Sequence, residues 1–315
     1  GLNYNINLAD NANSAITRLG TATWIGGPTG DWNDPANWAG GAIPDLANVA
    51  NVVIPQGVTP TFGSNVAGPV ELDSLLGGSL IVDGGSLDVQ GTTTLDQFTQ
   101  QGGTVESGNF TVNDFVQSAG TLLVNGYFDV LNSFAQTGSG TVDVTGNVSI
   151  TQNSGDLEVR NLSGQNVNLN APSGGVSLGG VNASGGLDVT AGSGDIGQIS
   201  GTSVTVVGTT TLTASGDITL GNDGNDFQGP VNAAGNNVLL KDSTGGLTLG
   251  DIYTRGTFDA TSTDGPITQS ATGVIVNAGT TTIDASQAGN PADIVLGGSH
   301  NDFGSDVNLV GRNIT

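Results

Sequence analysis

The chain has no cysteine and no methionine, a single histidine, and only five basic residues against 28 acidic ones in 315 positions. Each shortage closes a class of explanation. Without cysteine there are no disulfide staples and no thiolate metal sites. With His300 as the only histidine, His-pair zinc motifs and two-histidine relays are excluded. A formal charge of −23 leaves no basic surface for nucleic-acid phosphates or anionic lipid headgroups. No apolar run approaches the length of a membrane-spanning helix, so no membrane insertion is expected. Glutamate is nearly missing as well (Glu71, Glu106 and Glu158), and with strong helix formers so scarce no helix longer than a short cap is expected.

What is present is glycine, at 53 positions, and a hydrophobic fraction of 36% that recurs at alternate residues. In "GTVDVTGNVSI" and "GSLDVQG" the period of two is that of strands with one face buried, which sets the chain apart from charged, glycine-rich disorder. Three units in tandem start at Phe98, Phe115 and Phe134: "FTQQGGTVESGNFTVND", "FVQSAGTLLVNGYFDVLNS" and "FAQTGSGTVDVTGNVSITQ". They share Phe, any residue, Gln, then Gly-Thr and an alternating tail. A longer repeat relates "GDITLGNDGNDFQGPVN" (216–232) to "ADIVLGGSHNDFGSDVN" (292–308), with "VTVVGTTTLTA" and "VIVNAGTTTIDA" upstream.

A unit of 17 to 19 residues holds two or three short strands and cannot bury its apolar face alone. Stacked on its neighbours at roughly 4.8 Å per layer, it can. The expected fold is therefore all-β: a parallel β-helix of roughly 15 rungs, with the 76-residue offset spanning about four of them. Phe98, Phe115 and Phe134 should then stack as an internal aromatic column. Gln100, Gln117 and Gln136 should form an internal amide ladder, each donating to its neighbour on the next rung. Propellers need blades of about 40 residues or more, which the period rules out.

Composition changes near residue 70. Six of ten prolines and all three tryptophans precede it. Proline cannot donate to a ladder, so residues 1–70 read as an irregular N-terminal cap or leading segment and 71–315 as the repeat shaft. The second copy stops early at "DVNLVGRNIT", from which a cut C-terminus of a longer array is expected. The tryptophans crowd into "TWIGGPTGDWNDPANW". As a glycan platform, Trp24, Trp32 and Trp38 would stack on sugar faces, with Asp31 and Asn37 among the groups bonding hydroxyls. As a plug, they would cover the first rung. Spacings of eight and six residues do not decide between the two.

Chemistry finds little support. Arg18, Arg160, Lys241, Arg255 and Arg312 are scattered, whereas β-helix lyases pair acidic calcium ligands with a nearby base. The single histidine has Gly224 as its counterpart in the other repeat copy. The chain is expected not to be an enzyme and to require no cofactor. Calcium is the one ion the sequence suggests: "GNDGNDF" (221–227) and "GGSHNDF" (297–303) are similar to the glycine- and aspartate-rich calcium nonapeptide, with Asp223, Asp226 and Asp302 as oxygen donors. True nonapeptides run in tandem, and the other reading is a plain turn leading to an inward Phe227 or Phe303.

The Gly/Asn/Thr-rich repeats, the "GNDF-x-G-x-VN" turn and the "TW-x-GG…DW-x-x-PANW…IP" lead together resemble filamentous-haemagglutinin-like exoproteins, in particular biofilm-matrix adhesins of the two-partner secretion pathway. That resemblance implies a right-handed β-helix, secreted or held at the surface of a Gram-negative bacterium after passage through an outer-membrane two-partner secretion transporter. It implies an adhesin that binds exopolysaccharide and holds cells and biofilm matrix together, or else a spacer shaft whose adhesion lies elsewhere in its parent. The amino-terminal secretion domain of such proteins is not evident. A monomer is expected, kept soluble by its acidic, polar surface.

Overall fold

Phe98, Phe115 and Phe134 form one internal pile. Their ring centroids are 5.7 and 5.1 Å apart, with interplanar angles of 25° and 8°. The structure, a computed structural model, describes residues 4–6, 16–66, 68–286 and 291–315. It is an all-β parallel solenoid of about 12 turns with an irregular N-terminal segment. Two compact units divide the chain, residues 1–146 and 147–315.

In the first unit the short repeats do what their spacing requires. Gln100, Gln117 and Gln136 are buried beside the phenylalanines. Gln117 Nε2 donates to Gln100 Oε1 at 2.9 Å, and Gln136 Nε2 to Gln117 Oε1 at 2.9 Å. The ladder therefore donates backwards, each amide to the preceding turn. A second aromatic column, Phe110 and Phe128 at 5.8 Å, packs against the first, Phe115 meeting Phe128 edge-on at 5.3 Å. The glycine of the Gly-Thr signature has a backbone reason. Gly103 and Gly120 turn the corner with φ of 71° and 87°. A Cβ on Gly103 would lie 2.6 Å from the backbone of the turn before, and one on Gly120 would lie 2.7 Å from it.

Parallel pairing already runs through the proline-rich lead. Ile16–Thr23 pairs with Val49–Ile54, Thr29–Asp31 with Thr59–Phe62, and both partners pair in turn with the extended run Pro69–Gln117. The irregularity is local: a 3-10 turn at Pro35–Asn37, capped by the Asp34 carboxylate on the Ala36 N–H, and a Trp24–Trp38 antiparallel bridge.

The second unit repeats three strand positions per turn. On one side Val148, Val167, Leu187, Thr210 and Val231 stand in register, steps of 19, 20, 23 and 21 residues. Three of these four steps exceed the 17 to 19 of the short repeats, which is why there are about 12 turns rather than 15. Inward and outward residues alternate as the sequence pattern demands, as in Val148–Thr151 and Leu187–Ala191.

The long repeat does not stack on itself. Val204–Val206 is repeated as Ile275–Asn277, yet Ile275 lies over Ile252, in the column that runs through Thr210 and Val231. Thr210–Ala214 is repeated as Thr281–Asp284, which lies in the column of Ile218, Val238 and Phe258. The offset is thus three turns and one further side, not four whole turns. Local pairings are nevertheless kept: Val206 sits under Phe227 in the first copy, and Asn277 under Phe303 in the second.

Candidate functional site

The tryptophan lead is closed. Trp24, Trp32 and Trp38 are 2%, 0% and 0% exposed. Trp38 meets Trp24 at 5.1 Å and Trp32 at 4.6 Å, and Trp32 meets Phe62 at 5.5 Å, all edge-on. Trp24 Nε1 donates to the Gly27 carbonyl and Trp38 Nε1 to that of Trp32. With no ring face open to stack on a sugar, the three indoles form a plug rather than a platform. The polar residues assigned to the same platform brace it: Asp31 accepts from the Asn33 N–H and from Asn65 Nδ2, while Asn37 Nδ2 donates to the Asp31 carbonyl. Of the five, Asp31 lines an open groove, of about 440 Å³, together with Thr61, Asn65 and Asp83.

Amide side chains brace the acidic turns. Asp223 is an exposed partner of Lys241 Nζ. Asp226 accepts from Gln228 Nε2 at 2.9 Å and leaves its Oδ1 buried without a hydrogen bond. Asp302 pairs in register with Val276, in a different column from Asp226, which pairs with Thr205. The structure therefore does not bring Asp223, Asp226 and Asp302 together. Among the described residues no group of three or more His, Asp or Glu side chains converges as a metal site.

What the GNDF motif holds is its asparagine. Asn225 is buried, and its Oδ1 accepts from Gln198 Nε2 at 2.6 Å and from the Val204 N–H at 3.0 Å, while its Nδ2 returns a bond to Gln198 Oε1 at 3.0 Å. The second copy is built alike: Asn301 Oδ1 accepts from Gln269 Nε2 at 2.7 Å and from the Ile275 N–H, and Asn301 Nδ2 donates to Gln269 Oε1 at 2.9 Å. Each amide pair closes two reciprocal hydrogen bonds that tie the turn to the strand one turn away. Sequence reasoning passed over it. The signal available was Gln198 in "IGQ" and Gln269 in "ITQ", 71 residues apart like the strands that follow them.

Behind the first GNDF turn lies Asp242, fully buried. Its Oδ1 accepts the Phe227 N–H at 2.8 Å and its Oδ2 the Thr244 N–H at 3.2 Å. Burial pushes this carboxyl up to about 6, with the Asp226 charge adding and the backbone hydrogen bonds opposing.

Among the described residues, two surfaces of the second unit carry open grooves. One is the outward face of the column that starts at Val148. Its in-register pairs run Ser149 and Thr151, Asn168 and Asn170, Asp188 and Thr190, Thr211 and Thr213. A groove of about 410 Å³ runs among Asn147, Asn166, Asn168, Asp188 and Thr211. Burial by these neighbours raises the Asp188 carboxyl above its ordinary value. The other is a larger groove, about 770 Å³, between the turns at 200–203 and 221–224.

Residues 164–234 and 235–310 are each similar to a repeat family described as Repeats of unknown function (DUF5649). The two matches divide the second unit much as the long repeat does. No curated protein and no solved structure matches the chain significantly.

Proposed function

We propose that the chain is a structural adhesin of the bacterial exterior that binds exopolysaccharide and contributes to cell aggregation and matrix cohesion. The observation that supports this most directly is the outward face of the second unit. Four successive turns there present eight polar side chains, seven with a hydroxyl or amide, in parallel register. Neighbouring strands lie roughly 4.8 Å apart, so donors and acceptors repeat at the scale on which a glycan repeats its hydroxyls. A repetitive polymer meets a repetitive surface, and many weak hydrogen bonds add through linkage along one chain.

The resemblance to filamentous-haemagglutinin-like exoproteins supports the location, a secreted or surface protein of a Gram-negative bacterium exported by a two-partner transporter. The reading needs no catalytic group and no bound metal. Immobilised matrix polysaccharide should retain the purified chain. Asn168→Arg with Thr211→Arg, both exposed or half-exposed outward positions, should abolish retention while leaving the fold intact. Equal retention of native and double variant, or none of the native chain, would overturn the reading.

A further inference from the structure

A groove of about 770 Å³ in the second unit flanks the first GNDF turn, and its walls are fixed before any ligand arrives. Asn222 Nδ2 donates to the carbonyls of Ile199 and Thr202 at 2.7 and 3.0 Å, and Thr202 Oγ1 donates to Ile199 O at 2.7 Å. The Gln198–Asn225 clamp anchors both turns from below. Between the walls four of the ten lining residues are glycine, so backbone rather than side chains lines much of the 770 Å³. The exposed hydroxyls of Ser200 and Ser203 make no hydrogen bond among the described residues and remain available. One lining residue is acidic, Asp223, and Lys241 is engaged with it.

The second repeat copy separates what the fold needs from what the groove presents. It keeps the amide clamp. It replaces Ser203, Asn222, Asp223 and Gly224 by Val274, Gly298, Ser299 and His300. The polar lining is therefore dispensable for the turn itself. His300 also shows that the position of Gly224 accepts a side chain.

We infer that this groove is a binding site for a neutral saccharide unit, a hexose or N-acetylhexosamine, with Ser200, Ser203 and Asn222 bonding its hydroxyls. Preformed walls spare the ordering cost that flexible loops would incur on binding. The glycine-lined floor admits a flat ring against backbone. The net charge of −23 disfavours uronates and phosphorylated sugars, and Lys241, already paired with Asp223, offers them no free cation. The assignment deepens the exopolysaccharide reading and rests on it: beside the extended polar face it adds a site for a single sugar unit, and it gives a charge class.

Titration calorimetry of the full chain with neutral hexose and N-acetylhexosamine oligomers, and with oligouronates, tests it. Neutral oligomers should bind, and oligouronates should bind about tenfold more weakly or worse. A Cβ on Gly224 would come 3.1 Å from Ser203 Cβ, and its φ is an ordinary one, so Gly224→Gln fills the groove without backbone strain. That variant should lose about tenfold or more in affinity, and Ser203→Val a smaller amount, both with unchanged thermal midpoints. Unchanged affinity in Gly224→Gln, or tighter binding of uronates, overturns the groove assignment. If that happens while immobilised polysaccharide still retains the native chain, the adhesin reading stands alone; if no saccharide binds in either assay, both fall.

Discussion

Thr210 and Thr281 occupy the same position in the two copies of the long repeat, and they fare differently. Both are fully buried. Thr281 Oγ1 accepts from Asn277 Nδ2 at 2.8 Å, and Asn277 also takes the hydroxyl proton of Thr254. In the first copy Val206 stands where Asn277 does, and Thr210 Oγ1 has no partner. A buried hydroxyl without a hydrogen bond costs about 1–3 kcal/mol. Thr210→Val keeps the shape and removes the hydroxyl, so it should raise stability by about 1 kcal/mol, read as a higher urea midpoint at unchanged slope. Asn277→Val should do the reverse, by leaving two buried hydroxyls orphaned.

At the scale of a strand or turn, buried polar groups act through the neighbours they hold. Gln117 links the amides above and below and also donates to the Thr141 carbonyl at 2.9 Å. Gln117→Leu strands Gln100 Oε1 and should destabilise the first unit by about 1–3 kcal/mol in chemical denaturation. This ladder was legible beforehand because one residue type recurs at one spacing in three tandem units. The Gln198–Asn225 clamp was not: its partners are 27 residues apart, and amides abound in this chain. Asp242 makes its turn pH-dependent. Its folded value, about 6, lies above the ordinary 3.8, so between these values the folded chain holds the proton more tightly than the unfolded one. Stability from this group is therefore full below about pH 4 and is lost as pH rises through 6, by at most about 3 kcal/mol. In a series of melts from pH 4 to 8, Asp242→Asn should flatten the decline seen in the native chain. Parallel slopes would show that the carboxyl is not its source.

For the whole chain, charge and repetition set the behaviour. With −23 net charges and five basic residues, like-charge repulsion opposes the folded state. Salt screens it, with a Debye length of about 10 Å at 0.1 M, so the thermal midpoint should climb between low and moderate ionic strength. The acidic turns lie on different sides, so a chelator should leave that midpoint unmoved. A drop on chelation would mean that an ion bridges carboxylates this geometry keeps apart.

By itself the sequence determined the strand content, the inward phenylalanines and the buried amide ladder, because alternation and a short tandem period translate directly into which side chains meet in a parallel stack. Only the tertiary structure decided the rest. The tryptophans' closure depends on how a proline-punctuated loop folds back on itself, which spacing does not encode. The one-side advance of the long repeat depends on the number of strands per turn, a property of how the coil closes and not of any segment within it. The groove arises where two turns distant in sequence rise beside each other, and no local pattern specifies that meeting.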